Sequence, residues 1–397
     1  MPGIPNETPS AGLKYQPQLS GLRFCAVLFV VAYHFSYRLT NLKYYYDLGS
    51  FIVFFFVLSS YLITRILLNA KQKAIGTGLS RGKVAGAFLI RRTLRIFPAY
   101  YVYLLILLLL PLEGYEVRQH PGIFFSYFSN VWLYITKSWG PFTVHLWTLA
   151  VEEQFYVLCP WLLLFIPDRH LPKAFGTLII IGAAFRYISY ARMTDPNTEV
   201  FPMLVLLPAC IDCFAAGALL AYYHNWGYTQ ARWLQWIWVA VIPIWFLLIL
   251  GHHGSLFLAL DRIFISLFAV TIIDTANRGY KGLVRLFLEN RIIQYLSMIS
   301  YGIYLYHLLM PALFWKFLGW LQTNFTGMNL SKISSLMDSG FISFPVSMIM
   351  AVGCATISWY CLEQPIDRLR KRIFYVKPAT RIKEKPVKLP EQIERPE

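Results

Sequence analysis

Leu22-Arg23-Phe24-Cys25-Ala26-Val27-Leu28-Phe29-Val30-Val31-Ala32-Tyr33-His34-Phe35-Ser36-Tyr37-Arg38-Leu39 is the first long apolar stretch of the chain, with Arg23 and His34 eleven residues apart in it. On an α-helix eleven residues turn through about 1100°, within roughly 20° of three full turns, and rise roughly 16 Å. Both side chains then project from one face of one membrane helix, the Arg near its edge and the His deep inside. Ionisable groups are costly in a bilayer and mark a site or a pathway. An anion clamp at the membrane surface with a proton-transfer group three turns inward suggests chemistry.

Composition agrees with the membrane reading. The 397 residues are 57% hydrophobic and only 14% charged, where a soluble domain carries about 25% charged residues. A bilayer core needs about 20 helical residues per crossing, and ten segments qualify: 22–40, 49–69, 96–112, 145–166, 174–191, 203–223, 235–250, 257–274, 293–318 and 341–363. All are expected to be helical, because a lipid-exposed backbone must satisfy its own hydrogen bonds. The fold class is therefore an all-α polytopic membrane protein with about ten transmembrane helices. Aromatic clusters at Tyr44-Tyr45-Tyr46, Tyr100-Tyr101 and Trp233, Trp236 and Trp238 fit interfacial belts.

The net charge of +16 does not indicate a nucleic-acid partner, because the charges lie between apolar segments and in a terminal tail. With residues 1–22 in the cytoplasm, the inner connections hold 25 Lys and Arg and the outer ones 5. That bias places both termini in the cytoplasm. Residues 1–20 form a polar N-terminus without a cleavable signal, 21–368 the membrane domain, and 369–397 a basic tail attracted to anionic lipid headgroups. The connection 113–144, rich in Phe, Tyr and Trp, is expected to dip into the interface. The six cysteines fall in or beside apolar segments. Cys210 and Cys213 have CxxC spacing without a second pair, so neither a disulfide framework nor a metal site is expected.

Four further features carry candidate chemistry. Arg91, Arg92 and Arg95 place three guanidiniums in five residues at the inner edge of the third segment, suited to forked bonds with phosphate; a positive-inside flank is the plainer alternative. The fourth segment opens His145-Leu146-Trp147-Thr148-Leu149-Ala150-Val151-Glu152-Glu153-Gln154-Phe155-Tyr156. His145 and Glu152, seven apart, share a face. Glu153 points elsewhere and reads as the structural member. His307, within Ser300-Tyr301-Gly302-Ile303-Tyr304-Leu305-Tyr306-His307, is a third intramembrane imidazole. Glu363 precedes Gln364-Pro365 at the end of the last helix, where a carboxylate is unfavourable.

In this order the residues resemble the acyltransferase 3 family, integral-membrane acyltransferases that commonly O-acetylate carbohydrates. The correspondence runs from about Leu19 to Arg368. It comprises Leu19-Ser20-Gly21-Leu22-Arg23 through His34, Phe55-Phe56-Val57-Leu58-Ser59, Arg92 with Arg95-Ile96 and Pro98, Trp147 through Tyr156, Ser300-Tyr301 through His307, and Glu363 with Pro365. Two positions depart from the pattern. Val53 stands where many members carry an Asp before the Phe-Phe run, leaving its role empty or filled elsewhere, by Asp47 or Glu152. Ser60 replaces a usual Gly, which would narrow close helix packing. Some members carry a C-terminal SGNH esterase-like domain; none is expected in these 397 residues.

The resemblance implies acyl-CoA, with acetyl-CoA as the default, as co-substrate and no permanently bound cofactor. Arg23, Arg91, Arg92 and Arg95 are then expected to hold the coenzyme A phosphates. His34 is expected to act as general base for an acceptor hydroxyl from the outer side, with Glu152 behind it. An acyl-imidazole relay is the alternative. His145, Glu153, His307 and Glu363 are left as acceptor-site or structural residues. A carbohydrate or glycoside is the expected acceptor, and the cell membrane the expected location. The rival class is a transporter with an Arg, His and Glu proton or anion pathway, weakened by the absence of an internal repeat; a scaffold with a decayed site is a third reading.

Overall fold

The computed structural model describes residues 15–36, 50–110, 114–195, 200, 203–227, 242–244, 254–324, 340–370 and 373. The expected aromatic clusters at 44–46 and around Trp236, Asp47, most of the span 235–250 and most of the tail lie outside them. All regular structure among the described residues is helical. The long helices are α1 (Pro17–Ser36), α2 (Ser50–Thr77) and α3 (Arg81–Leu109). Three short helices follow, α4 (Tyr115–Gln119), α5 (Pro121–Phe125) and α6 (Ser129–Thr136). Then come α7 (Leu146–Phe165), α8 (Leu171–Ala191), α9 (Leu207–Asn225) and α10 (Ser255–Arg278). The last part holds α11 (Gly282–Leu288), α12 (Arg291–Met298), α13 (Ser300–Tyr306), α14 (Leu309–Asn324) and α15 (Gly340–Ser358). A π-helical turn, Trp359–Glu363, continues α15 into α16 (Gln364–Arg370).

Seven helices among the described residues are long and apolar enough to cross a membrane, and the protein is an all-α polytopic membrane protein. Large apolar side chains such as Leu109, Ile180, Phe268 and Ile349 are exposed on these helices, as they must be where lipid is the solvent. The expected span 203–223 is α9, packed between α2 and α8. A Cβ at Gly217 would run into the Val57 carbonyl, so only glycine lets α9 and α2 approach this closely. Ser60, expected to disturb packing, lies at this same contact and donates to the Phe214 carbonyl.

Two expected boundaries are corrected. The third span begins at Arg81, fifteen residues before the hydropathy edge at 96, because Ser80 caps the helix by accepting the Lys83 N–H. Pro98 sits inside α3 without ending it. At 29 residues the helix is roughly 43 Å long and outruns a hydrocarbon core of about 30 Å. The segment 293–318 is broken into α12, α13 and α14. The break at His307-Leu308 has a local cause: Pro311 has no N–H to return to the His307 carbonyl, and the His307 ring itself donates to the Tyr304 carbonyl.

Among the described residues the apolar interior forms two large clusters, beside a small one of Val200, Phe257 and Leu258. One gathers α2, α8, α9, α10 and the second half of α7. The other gathers the later turns of α1 and α3, the first turn of α7, and α13 with α15. Ile52, Phe55, Phe97 and Tyr301 pack against both, and the seam between the clusters is where the cavity opens.

Candidate active site

Several helices meet at the seam around a cleft. Arg23 reaches it from α1, Arg92 and Arg95 from α3, Ser59 from α2, Glu152 and Tyr156 from α7, and Tyr301 and Tyr304 from α13. Arg92 and Arg95, three apart, share a face of α3 and line the cleft together with Arg23. The Arg92 guanidinium lies over the Tyr156 ring at 4.0 Å, a cation–π contact that fixes its plane. The depth of Arg23 is set by bonds at the start of α1. Gln294 donates to the Pro17 carbonyl at 2.8 Å, Ser297 to the Ser20 carbonyl at 2.6 Å, and Gln18 to the Tyr280 carbonyl at 3.1 Å.

Thr148 and Tyr304 close the other end of the cleft, and beyond them lie three imidazoles from three elements. The His34 and His307 ring centroids are 5.1 Å apart, as are those of His307 and His145. The sequence placed these rings in separate segments, and the fold brings them together. His145 precedes the first residue of α7, so Glu152 sits about two turns, roughly 10 Å, along the helix from it. The expected pairing of Glu152 with His34 is therefore not the arrangement seen: Glu152 lines the cleft with the arginines, and the imidazole neighbour of His34 is His307.

The remaining candidates fall outside the cleft. Arg91 turns away from it and donates to the Ile373 carbonyl. Glu153 is buried, with Oε1 lacking a hydrogen-bond partner among the described residues. Glu363 lies in the π turn, accepts from Ser358 at 2.9 Å, and is packed near Gly302. Val53 is buried in the apolar interior.

Sequence reading passed over several buried charges. Arg186 and Asp212 form a two-pronged pair at 2.9 and 2.7 Å, and Arg186 also donates to the carbonyls of Ala209, Leu258 and Ala259. Arg262 donates to the Cys210 sulfur at 2.8 Å, so the CxxC pair is packed within this ionic cluster. His224, Asp274 and Arg278 form a second group. The signal was available, because an ionisable residue in an apolar helix calls for a partner. Periodicity within one helix does not say which partner.

The connection between α3 and α7 enters the bundle. Tyr100, Tyr101 and Tyr103 of α3 donate to the carbonyls of Phe124, Phe125 and Phe142. The Tyr127 ring stacks on Phe97 and Tyr100, at centroid distances of 5.0 and 4.2 Å. Phe97 lies twelve residues, about 18 Å, before the end of α3, so this segment goes deeper than the interfacial dip expected.

A family model described as an acyltransferase domain, that of acyltransferase 3, matches residues 16–361. The peptidoglycan O-acetyltransferase OatA of Listeria monocytogenes is 35% identical over 208 residues, 46% of this chain and 30% of that protein. A provisionally assigned O-acetyltransferase of Staphylococcus aureus is 35% identical over 207 residues, 48% of this chain and 32% of its own length. A provisionally assigned peptidoglycan O-acetyltransferase of Bacillus subtilis, YrhL, is 32% identical over 203 residues, 46% of this chain and 30% of its own. The matched stretch thus spans about a third of the length of these relatives. No solved structure matches.

Proposed function

The chain belongs to the acyltransferase 3 family, and from that premise we propose that it is a membrane O-acyltransferase. It carries an acyl group, by default acetyl, from acyl-CoA on the cytoplasmic side to a hydroxyl of a carbohydrate or glycoside on the outer side. One observation carries the reading: Arg23, Arg92 and Arg95 converge at a cleft whose opposite end abuts the imidazole cluster containing His34. Guanidiniums suit the phosphates of coenzyme A. The rise of roughly 16 Å from Arg23 to His34 is the length scale of a pantetheine arm, which brings the thioester to the imidazoles.

His34 takes the proton of the acceptor hydroxyl as the oxygen attacks the thioester carbonyl. A C–O bond forms, the C–S bond breaks, and the departing thiolate accepts from His34 the proton that came from the hydroxyl. Glu152, among the arginines, holds the donor end in register. The relatives' names support a peptidoglycan sugar as the first acceptor to try.

The test compares cell-surface glycans by mass spectrometry in cells expressing wild type or His34→Ala. The acyl mass increment is expected with wild type and absent with the variant, at equal amounts of folded protein in detergent. Full turnover in His34→Ala would sink the assignment of the base. Proton-coupled flux without acyl-CoA consumption would instead favour the transporter.

A further inference from the structure

We propose that His307 is the positioning residue for His34: its buried Nε2, left bare by the bond its Nδ1 makes, accepts the N–H of the His34 ring when substrate is bound and orients the base. The inference rests on the acyl-transfer reading and assigns to an imidazole the part expected of a carboxylate.

The argument begins with tautomers. A carbonyl can only accept, so the His307 Nδ1–H donates to the Tyr304 oxygen at 2.6 Å. In the neutral ring Nε2 is then a bare acceptor. The His145 Nε2–H donates to the Leu305 oxygen at 3.1 Å, leaving its Nδ1 bare as well. Both rings are fully buried, and both bare nitrogens lack a hydrogen-bond partner among the described residues. An unmet buried acceptor is costly and needs an explanation.

His34 supplies one. Its ring centroid is 5.1 Å from that of His307, inclined at 48°; the two rings are adjacent but not hydrogen-bonded in this structure, and a rotation of the His34 ring toward Nε2 closes the pair. Hydrogen bonds of this kind are commonly long before substrate binds. Tyr304 holds the arrangement to the cleft. Its carbonyl anchors His307, its hydroxyl donates to the His145 carbonyl at 3.0 Å and pairs with Thr148 at 2.6 Å, and both Tyr304 and Thr148 line the cleft. The helix break after α13 gives His307 this freedom to bond backward.

During transfer the hydroxyl proton moves to one nitrogen of His34, and the N–H on the other points to His307 Nε2. The proton shared between the rings stays within the pair. When the departing thiolate takes the hydroxyl proton from His34, both rings return to their starting state.

The experiment uses inverted membrane vesicles that carry their own acceptor glycan, with labelled acetyl-CoA as the probe. His307→Asn keeps a donor for the Tyr304 carbonyl and removes the distal acceptor; His307→Gln places an amide oxygen near the position of Nε2. His307→Asn is expected to lower kcat at least tenfold with the KM for acetyl-CoA within twofold of wild type, and His307→Gln to recover threefold or more of that loss. Unchanged kcat in His307→Asn overturns the proposal. Equal losses in both variants, with lowered thermal midpoints, also overturn it and make the role one of packing. No transfer by wild type removes the acyl-transfer reading, and this proposal with it.

Discussion

Arg95 lines the cleft and His34 lies beyond Thr148 and Tyr304, and the proposed division of labour makes their substitutions differ in kind. Arg95→Gln is expected to raise the KM for acetyl-CoA by about ten- to a hundredfold, since a charge-assisted hydrogen bond contributes about 1.5–3 kcal/mol. His34→Ala is expected to lower kcat by about 10²–10⁴, the usual contribution of a general base. Steady-state kinetics in vesicles separates the two, and a kcat effect alone in Arg95→Gln would remove Arg95 from the donor clamp. The pair at Arg186 and Asp212 predicts something different. Asp212→Ala strands a guanidinium that is fully buried and is expected to cost about 3–5 kcal/mol, while Arg186→Met with Asp212→Leu recovers much of that loss. Thermal midpoints in detergent compare them. Such pairs mark the limit of what the sequence makes legible. Arg23 and His34 could be assigned to one face because both lie on α1, and spacing along one helix is a matter of geometry. Glu152 could not be assigned to its neighbours that way. Its place among the arginines depends on how α7 passes α1 and α3, which no single-helix periodicity encodes.

At the scale of helices, the legible part was existence and the illegible part was interruption. Apolar runs announced α1, α2, α7, α8 and α10. The polar first turns of α3 were invisible to hydropathy, although Ser80 followed by a basic helical run is an ordinary start. The span 293–318 reads as one apolar run although Pro311 lies in it, and the break between α13 and α14 gains its meaning only when the His307 ring bonds back to Tyr304. Close packing of α2 on α9 depends on Gly217. Gly217→Val is expected to force the helices apart at a cost of about 1–3 kcal/mol, seen as a lower thermal midpoint. An unchanged midpoint would mean the contact is not tight. The segment between α3 and α7 makes a topological prediction in the proposed orientation. In a cysteine-free background, Ile135→Cys, exposed on α6, is expected to react with an impermeant maleimide added to intact cells. Ile75→Cys, exposed at the other end of the bundle on α2, is expected to react only after permeabilisation. Phe124→Cys, buried where the segment enters the bundle, is expected to resist the reagent from either side. The reverse pattern at Ile135 and Ile75 would invert the proposed path from acyl donor to acceptor.

The two large apolar clusters among the described residues meet at a polar seam, and this division has a thermodynamic consequence. Within each cluster stability comes from burial. At the seam, Arg23 of α1 lines the same cleft as Arg92 and Arg95 of α3, three guanidiniums against the single carboxylate of Glu152. Like charges gathered around one cleft repel, and an anionic ligand placed among them relieves the repulsion while bridging α1 to α3. Coenzyme A is then expected to stabilise the whole protein. A ligand that binds only the folded state at a hundred times its Kd adds about 2.7 kcal/mol. The thermal midpoint in detergent should therefore rise by a few degrees with coenzyme A, and rise less as salt screens the phosphates. Adenosine, which lacks phosphates, should give no such rise, and Arg95→Gln should blunt the response to coenzyme A. His34→Ala should keep the full response, because its ring lies beyond Thr148 and Tyr304, at the far end from the arginines. An equal rise with adenosine would place recognition on the base instead. Loss of the response in His34→Ala alone would mean that the two ends of the cleft bind as one unit.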